Sequence, residues 1–442
     1  MEHVSLVEKW GEILDVEGVA PIKDQYRKKV TAILLENQEK ANTETKQALF
    51  ENAPTNAVGG YSDTGGIAKY DPVLISLVRR TAPQNIGFEL CGVQPMVMPT
   101  GKIFARRAKY TNQAGTEALF QEADSGFSGS ATQSGGATQS PLGTSLSTIG
   151  NPGVLNNTPA GTFTYGTGIT TAQGEALGTS GQPAIPEMAM TFESKMVEAK
   201  TRALKAEYSQ ELVQDLRAIH GLDAEQELID ILSTEIIAEQ NREIVRTILV
   251  AAKPGAQYAT VPGVFDLDTD AGGRWSVEKF KGLLFGIERD ANQIAKETRL
   301  VRGNVIICSS DVASALALAG VLDFAPAIQG PDIVDETSVT FAGILNGRYR
   351  VFIDPYLGAN NENWLAVVGK GADAYTAGLY YCPYQALQLH RAIDPQSFQP
   401  KIAFKTRYGL TAHPFANPTD VTGGLAANTN TFFRRLRVTN LL

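Results

Sequence analysis

Apolar residues along this chain switch between two spacings. From Asp223 to Ala252 they recur at helical intervals: Leu228, Ile231, Leu232 and Ile236, then Ile244, Val245, Ile248 and Leu249. That pattern predicts one long amphipathic helix. Asp223 stands at the N-cap position with Gln226 three residues on, the spacing of a capping box, and Lys253-Pro254-Gly255 is a stop signal. At about 1.5 Å per residue the rod is roughly 45 Å long, so other elements are expected to be strung along it. Trp275 to Arg299 repeats the helical spacing through Phe280, Leu283, Leu284, Ile287 and Ile294.

Upstream, Val4–Leu14 and Ile22–Asn42 read as two helices separated by Gly18 and Pro21, with Val7, Trp10 and Leu14, then Tyr26, Val30, Ile33 and Leu34, as their apolar positions. Two such helices bury little by themselves and need another copy, another protein or the main body as partner. After Leu49-Phe50-Glu51 the composition turns to Asn52-Ala-Pro-Thr and a Gly-rich run through Gly66, an exposed linker. Pro72–Arg80 reads as a short helix and Leu90–Met98 as apolar but irregular.

Period-two alternation marks Lys102–Tyr110 as a strand, with Ile103, Ala105 and Arg107 on one side. Its partner is Met188–Val197, with Met188, Met190 and Phe192 on one face. Residues 125–186 between them are rich in Gly, Ser, Thr, Ala and Gln, with Glu175 as the one charge after Asp124. They read either as a low-complexity loop or as a small β-rich insertion around Gly161–Tyr165. In both readings the flanking strands form the stalk of a long arm with little core of its own, suited to lying on a neighbouring subunit. Glu198–His220 passes from strand to helix. Asn304–Cys308 is a buried strand, and Ser310–Ala319 is a helix capped by Ser or Asp. Thr340–Leu345, Asn346-Gly347 and Arg348–Ile353 carry a strong hairpin signal, because Asn-Gly supplies the positive φ angles of a type I′ turn. Leu365–Gly369, Gly378–Cys382, Gln399–His413 and Thr431–Val438 add strands. The class is α+β, with strands of one domain split across the sequence.

Bulk composition changes this picture little. The 442 residues carry a net charge of −8, so no basic field invites nucleic acid or an anionic membrane. No apolar run approaches the roughly 20 residues that span a bilayer. Cys91, Cys308 and Cys382 lie far apart without a CxxC, which argues against a disulfide scaffold. Phosphate loops, HExxH, GxSxG and zinc spacings are absent, and Gly166-Thr-Gly168 lacks a strand-turn-helix context. His3, His220, His390 and His413 are scattered, and His220, preceding Gly221, reads as a helix C-cap helper. No enzyme site and no cofactor or metal set emerges. Arg106, Arg107, Lys109, Glu193 and Glu198 on the arm are read either as solvated strand faces or, in an assembly, as contacts to a neighbouring subunit.

Several blocks carry a family resemblance. They are Leu34–Lys40 (LLENQEK), Leu77–Arg80, Cys91–Met96, Pro99–Gly101, Leu212–Gly221, Asn241-Arg-Glu243, Tyr349-Arg-Val351 with Asp354, Tyr380–Tyr384, and Asp394–Tyr408. Together they resemble the major capsid proteins of T-even-like tailed phages, cyanophage relatives included, over most of the chain outside 111–186. The resemblance implies the Hong Kong 97-type capsid fold and a division of the chain. Residues 1–51 would be a cleavable helical pro-segment, 52–95 an N-arm and linker, and 96–200 an extended loop with the 111–186 insertion. Residues 201–265 with 387–442 would form a peripheral domain around the helix at 223–252, and 266–386 an axial domain.

It further implies hexamers in an icosahedral or prolate shell around double-stranded DNA, assembled in the host bacterial cytoplasm on an internal scaffold. Implied partners are a prohead protease, a vertex capsid protein, a portal, decoration proteins and non-specifically packaged DNA; no membrane is involved. The protease of relatives cuts after Glu in a Leu/Ile-x-Glu pattern. Leu49-Phe50-Glu51 with Asn52 beyond it matches, as do Leu34-Leu35-Glu36 and Leu6-Val7-Glu8. Glu51 is preferred because the linker exposes it. The alternatives are a pentameric vertex paralogue and an encapsulin-like nanocompartment shell; residues 1–51 count against the latter.

Overall fold

The computed structural model describes residues 6–7, 9–11, 24–50, 85–119, 123, 127–129, 168–178, 185–219, 221, 223–273, 275–319, 322–324, 340–357, 362–373, 375–394, 396, 399–417 and 424–441. The expected helix at Pro72–Arg80, the Gly161–Tyr165 segment, Glu51, Asn52 and His220 lie outside them.

In chain order the elements are α1 (Gln25–Phe50), α2 (Gly87–Leu90), β1 (Gly92–Val93), β2 (Thr100–Tyr110), β3 (Glu117–Ala118), α3 (Thr171–Glu175), β4 (Met188–Glu198), β5 (Lys200–Glu207) and α4 (Gln210–Ile219). The long helix α5 (Ala224–Ala251) follows, then β6 (Ala252–Pro254), β7 (Val264–Asp266), α6 (Ser276–Thr298), β8 (Gly303–Cys308), α7 (Ser310–Leu318) and β9 (Leu322–Phe324). Last come β10 (Thr340–Leu345), β11 (Tyr349–Ile353), β12 (Asn363–Gly369), β13 (Leu379–Ile393), β14 (Pro400–Ala412) and β15 (Asn430–Thr439). Two compact units result: residues 1–102 with 196–442, and Ile103–Lys195.

The first unit is built on two sheets. One has the order β1-β13-β14-β5 and the other the order β6-β15-β12-β8-β11-β10-β9, with β7 also against β15. Strand β8 sits centrally, parallel to β11 and antiparallel to β12. Its run Val305-Ile306-Ile307-Cys308 is apolar throughout because both faces are covered. Ile306 and Cys308 pack with Phe280, Leu283, Ile287 and Ile294 of α6 and Val312 and Leu316 of α7. Val305 and Ile307 pack with Ile244, Val245 and Ile248 of α5. The other half of α5, through Ile229, Leu232 and Ile236, covers Leu387, Ile402 and Phe404 of the first sheet. One helix therefore walls both sheets, and this dictates its buried residues. Ile229 and Ile237 are inside, while Ile231, expected on the apolar face, is exposed.

Several local expectations change. Asp223 does cap α5, but its carboxylate accepts from Glu225 N at 3.1 Å, while the Gln226 amide turns to Asp230. Ser309 precedes α7 without capping it; its hydroxyl donates to Asn363 Oδ1 at 3.0 Å. The Asn346-Gly347 turn forms as expected, with φ values of 51° and 64°. Strand β15, expected with 387–442 in the peripheral domain, instead pairs with β12 inside 266–386. Strand β13 crosses the expected boundary at 386/387. The reason is packing: Phe433 faces the α5 side, while Leu436 and Val438 face the α6 side, so β15 needs cover on both faces.

Asp290 of α6 is a buried carboxylate that accepts Ala256 N–H with both oxygens at 3.0 Å. Gly255 is required beside it, because a Cβ there would collide with that carboxylate. Burial pushes Asp290 up to about 6, against the pull of Ala256 N–H, Arg434 and Arg289. A carboxyl whose folded pKa is raised binds more protons in the native state. Its contribution therefore falls as pH rises from about 4 to 6 and is flat beyond. Asp290→Asn keeps an acceptor for Ala256 and removes this penalty. Urea denaturation of the unassembled chain should show the Asp290→Asn variant gaining on the parent between pH 4 and pH 6 by roughly 3 kcal/mol, then holding that lead. A difference independent of pH would refute the assignment.

Candidate functional site: amino-terminal helix groove and arm

Residues 1–51 were expected to need a partner, and the partner is the body itself. Helix α1 runs to Phe50, past the expected end at Asn42, and residues 30–35 are buried on every side. Its N-terminus is held by Asp24 Oδ1, which accepts from Tyr26 N at 2.9 Å. Val30 and Leu34 enter the core beside Ile86, Leu90, Val93, Ile244 and Tyr381. Ala32 and Leu35 pack under Trp10, with Val7 and Ala386 alongside. Lys9 clamps this cover by binding Glu36 at 2.8 Å and Glu39 at 2.6 Å, and the Trp10 indole donates to Glu36. Burial opposes the Lys9 charge, but the two carboxylates outweigh it and raise its pKa.

Polar contacts set the register of the helix. The Asn37 amide donates to Met96 O at 2.8 Å and Tyr384 O at 2.9 Å. Glu89 accepts from both Arg27 of the helix and Arg350 of the body, Tyr26 OH donates to Val93 O, and Lys370 donates to Phe88 O. These groups rim a cavity of about 470 Å³. Burial lowers the pKa of Lys370, and the nearby Arg350 and Arg27 add to that.

Below the helix, three consecutive residues of α5 tie different parts of the chain to it. Asn241 Oδ1 accepts Ile86 N–H at 3.0 Å. Arg242 pairs with the fully buried Asp354. Glu243 binds Arg202 at 2.7 Å and accepts the Tyr408 hydroxyl proton. The Asn241-Arg-Glu243, Tyr349-Arg-Val351/Asp354 and Asp394–Tyr408 blocks thus meet at one place.

In the unit Ile103–Lys195, β2 lies between β3 and β4. Arg107 is buried between Glu193 at 3.1 Å and Glu117 at 3.3 Å. Burial raises the pKa of Glu117, with Glu193 adding and Arg107 and Lys109 opposing. Lys109 stands directly opposite Glu117 in the strand register. Arg107 is therefore neither a solvated face nor free for a neighbour, and Glu193 is its partner within the arm. Arg106 and Glu198 are exposed. The opposite face of the arm is open and carries apolar side chains around Arg106: Phe104 and Phe192 are 69% and 67% exposed, with Met188 and Met190 on the same face. At the expected cleavage motif, Leu49 and Phe50 end α1, while Glu51 and Asn52 lie outside the described residues. Leu34 and Leu35, in the alternative motif, are buried.

Asn37 and Asn241 fall inside resemblance blocks that carry no role for them, and Glu89 falls outside every block. Their one signal is a polar side chain interrupting an apolar face. All three cysteines are buried and free, and burial pushes each thiol up to about 12.

Removing Arg107 leaves two carboxylates facing each other in a poorly hydrated site, at a cost on the order of 3 kcal/mol. Arg107→Met should speed amide hydrogen exchange across 100–110 and 188–195, whereas Arg107→Lys should restore part of the protection. Equal exchange in parent and Met variant would show that the ion pair does not hold the arm.

Residues 67–438 match the family model described as Major capsid protein Gp23. The chain is 39% identical to the major capsid protein of Salmonella phage ViI, over 97% of this chain and 96% of that one. It is 35% identical to the major capsid protein of Enterobacteria phage T4, over 93% and 92%. The capsid vertex protein of Enterobacteria phage T4 is 27% identical and aligns with 49% of this chain and 51% of its own length. Similarity to the major capsid proteins is the higher of the two and runs nearly end to end, so the chain belongs to the Gp23 family of major capsid proteins.

Proposed function

We propose that this virion protein forms hexameric capsomers of a Hong Kong 97-type shell around double-stranded DNA, with each arm lying on a neighbouring copy. The observation that carries this is the open apolar face of Phe104, Met188, Met190 and Phe192. An arm with one ion-paired face and one face rich in open apolar side chains is stabilised by covering the second, at about 25 cal/mol per Å² of apolar area. Arg106 and Glu198 are the charges on that face left to flank such a contact, while Lys109 lies on the Arg107 side opposite Glu117. The scaffold, vertex protein, portal, decoration proteins and packaged DNA complete the assembly in the host bacterial cytoplasm. The DNA is enclosed rather than bound, in keeping with a net charge of −8.

Residues 1–51 act as a pro-segment cut by the prohead protease after Glu51. Leu34 and Leu35 of one Leu-x-Glu motif are buried within α1, whereas Leu49 and Phe50 of the preferred motif are its last two residues, and helix ends admit a protease more readily than buried turns. The family match begins at residue 67, downstream of this segment. Before the cut, the segment covers an apolar groove of its own body as well as meeting the scaffold. After the cut, that groove loses its cover, which favours a rearranged shell with more burial between subunits.

Mass spectrometry of mature particles should find a dominant chain beginning at Asn52. Glu51→Gln should leave residues 1–51 attached and hold the shell unexpanded by electron microscopy. Mature, DNA-filled particles that retain residues 1–51 would overturn the maturation reading. An intact chain in a small closed shell would instead favour a nanocompartment.

A further inference from the structure

Helix α1 is buried as deeply as a core element, yet one residue in its buried stretch is poorly accommodated. Gln38 is 2% exposed, and neither its amide nitrogen nor its oxygen has a hydrogen-bond partner among the described residues. Its neighbour Asn37 is satisfied by two backbone carbonyls. Below Leu34 of the same helix, a residual void of about 50 Å³ remains, lined by Phe88, Ile236, Ile237, Tyr381 and Ala386. An apolar side chain at position 38 would avoid an unmet buried amide, and a larger one at position 34 would reduce the void.

We propose that the groove between α5 and the β13–β14 sheet is a binding site for residues 25–40 as a separate peptide, and that Gln38 sets its affinity low enough for the peptide to leave once the chain is cut. This rests on the reading of residues 1–51 as a severed segment. While the chain is intact, the tether supplies an effective concentration in the millimolar range, and a weakened contact stays formed. Cutting removes that advantage. Asn37 and the Glu89–Arg27 pair fix where the helix sits, and Gln38 fixes how long it stays. A buried amide without partners weakens docking by roughly tenfold or more.

The test has two arms on the full chain. In the uncut protein, hydrogen exchange of amides 30–38 should slow about tenfold in Gln38→Met and quicken in Asn37→Ala. In assembled particles, after the cut, the Met variant should retain residues 1–51 several times longer than the parent by mass spectrometry. Exchange in Gln38→Met equal to or faster than in the parent would overturn the proposal, because the amide would then be satisfied in solution. If the Met variant does not fold, Gln38→Leu takes its place; failure of both would mean that the amide is required, which also overturns it. Absence of any cut after Glu51 defeats the maturation reading but leaves the exchange arm to decide the docking claim by itself.

Discussion

Helix α5 is the constraint on which the larger unit depends. Its first half closes one sheet through Ile229, Leu232 and Ile236, and its second half closes the other through Ile244, Val245 and Ile248. A helix that serves two sheets cannot turn or slide to suit one without opening the other. Asn241, Arg242 and Glu243 sit in that second half and reach Ile86, Asp354, and Arg202 with Tyr408. Asn241 and Asp354 are buried, and buried polar groups are strongly destabilising when half satisfied, so they favour one arrangement over near alternatives.

The amino-terminal helix extends the same logic to the segment that the proposed maturation would remove. It carries Val30 and Leu34 into the core that α5 closes, and Trp10 seals its outer side. While attached it behaves as part of the body. Under the proposed cut its loss would uncover Ile86, Leu90, Val93 and Tyr381, which would give a shell made of such chains a reason to move in one direction.

The arm is built on a different balance. Arg107 between Glu117 and Glu193 gives a small three-stranded sheet an internal bond that apolar burial cannot provide there. The other face keeps its phenylalanines and methionines in the open. Methionine is flexible and adapts to irregular surfaces, which suits the proposed contact with a neighbouring copy.

Periodicity alone determined the α+β class, the helices at 223–252 and 275–299, the strand at 304–308 and the Asn346-Gly347 hairpin, because each is a local pattern with a local cause. The two strands of the arm were legible for the same reason. Only the tertiary structure decided which sheet β15 joins, since its alternating apolar faces fit either partner until both sides are filled. It also decided that α1 packs on its own body, and that Arg107 is an internal ion pair rather than a surface charge. A side chain's partner several strands away, or across a sheet, is set by how elements stack, and a linear pattern of polar and apolar residues does not encode which surfaces will meet.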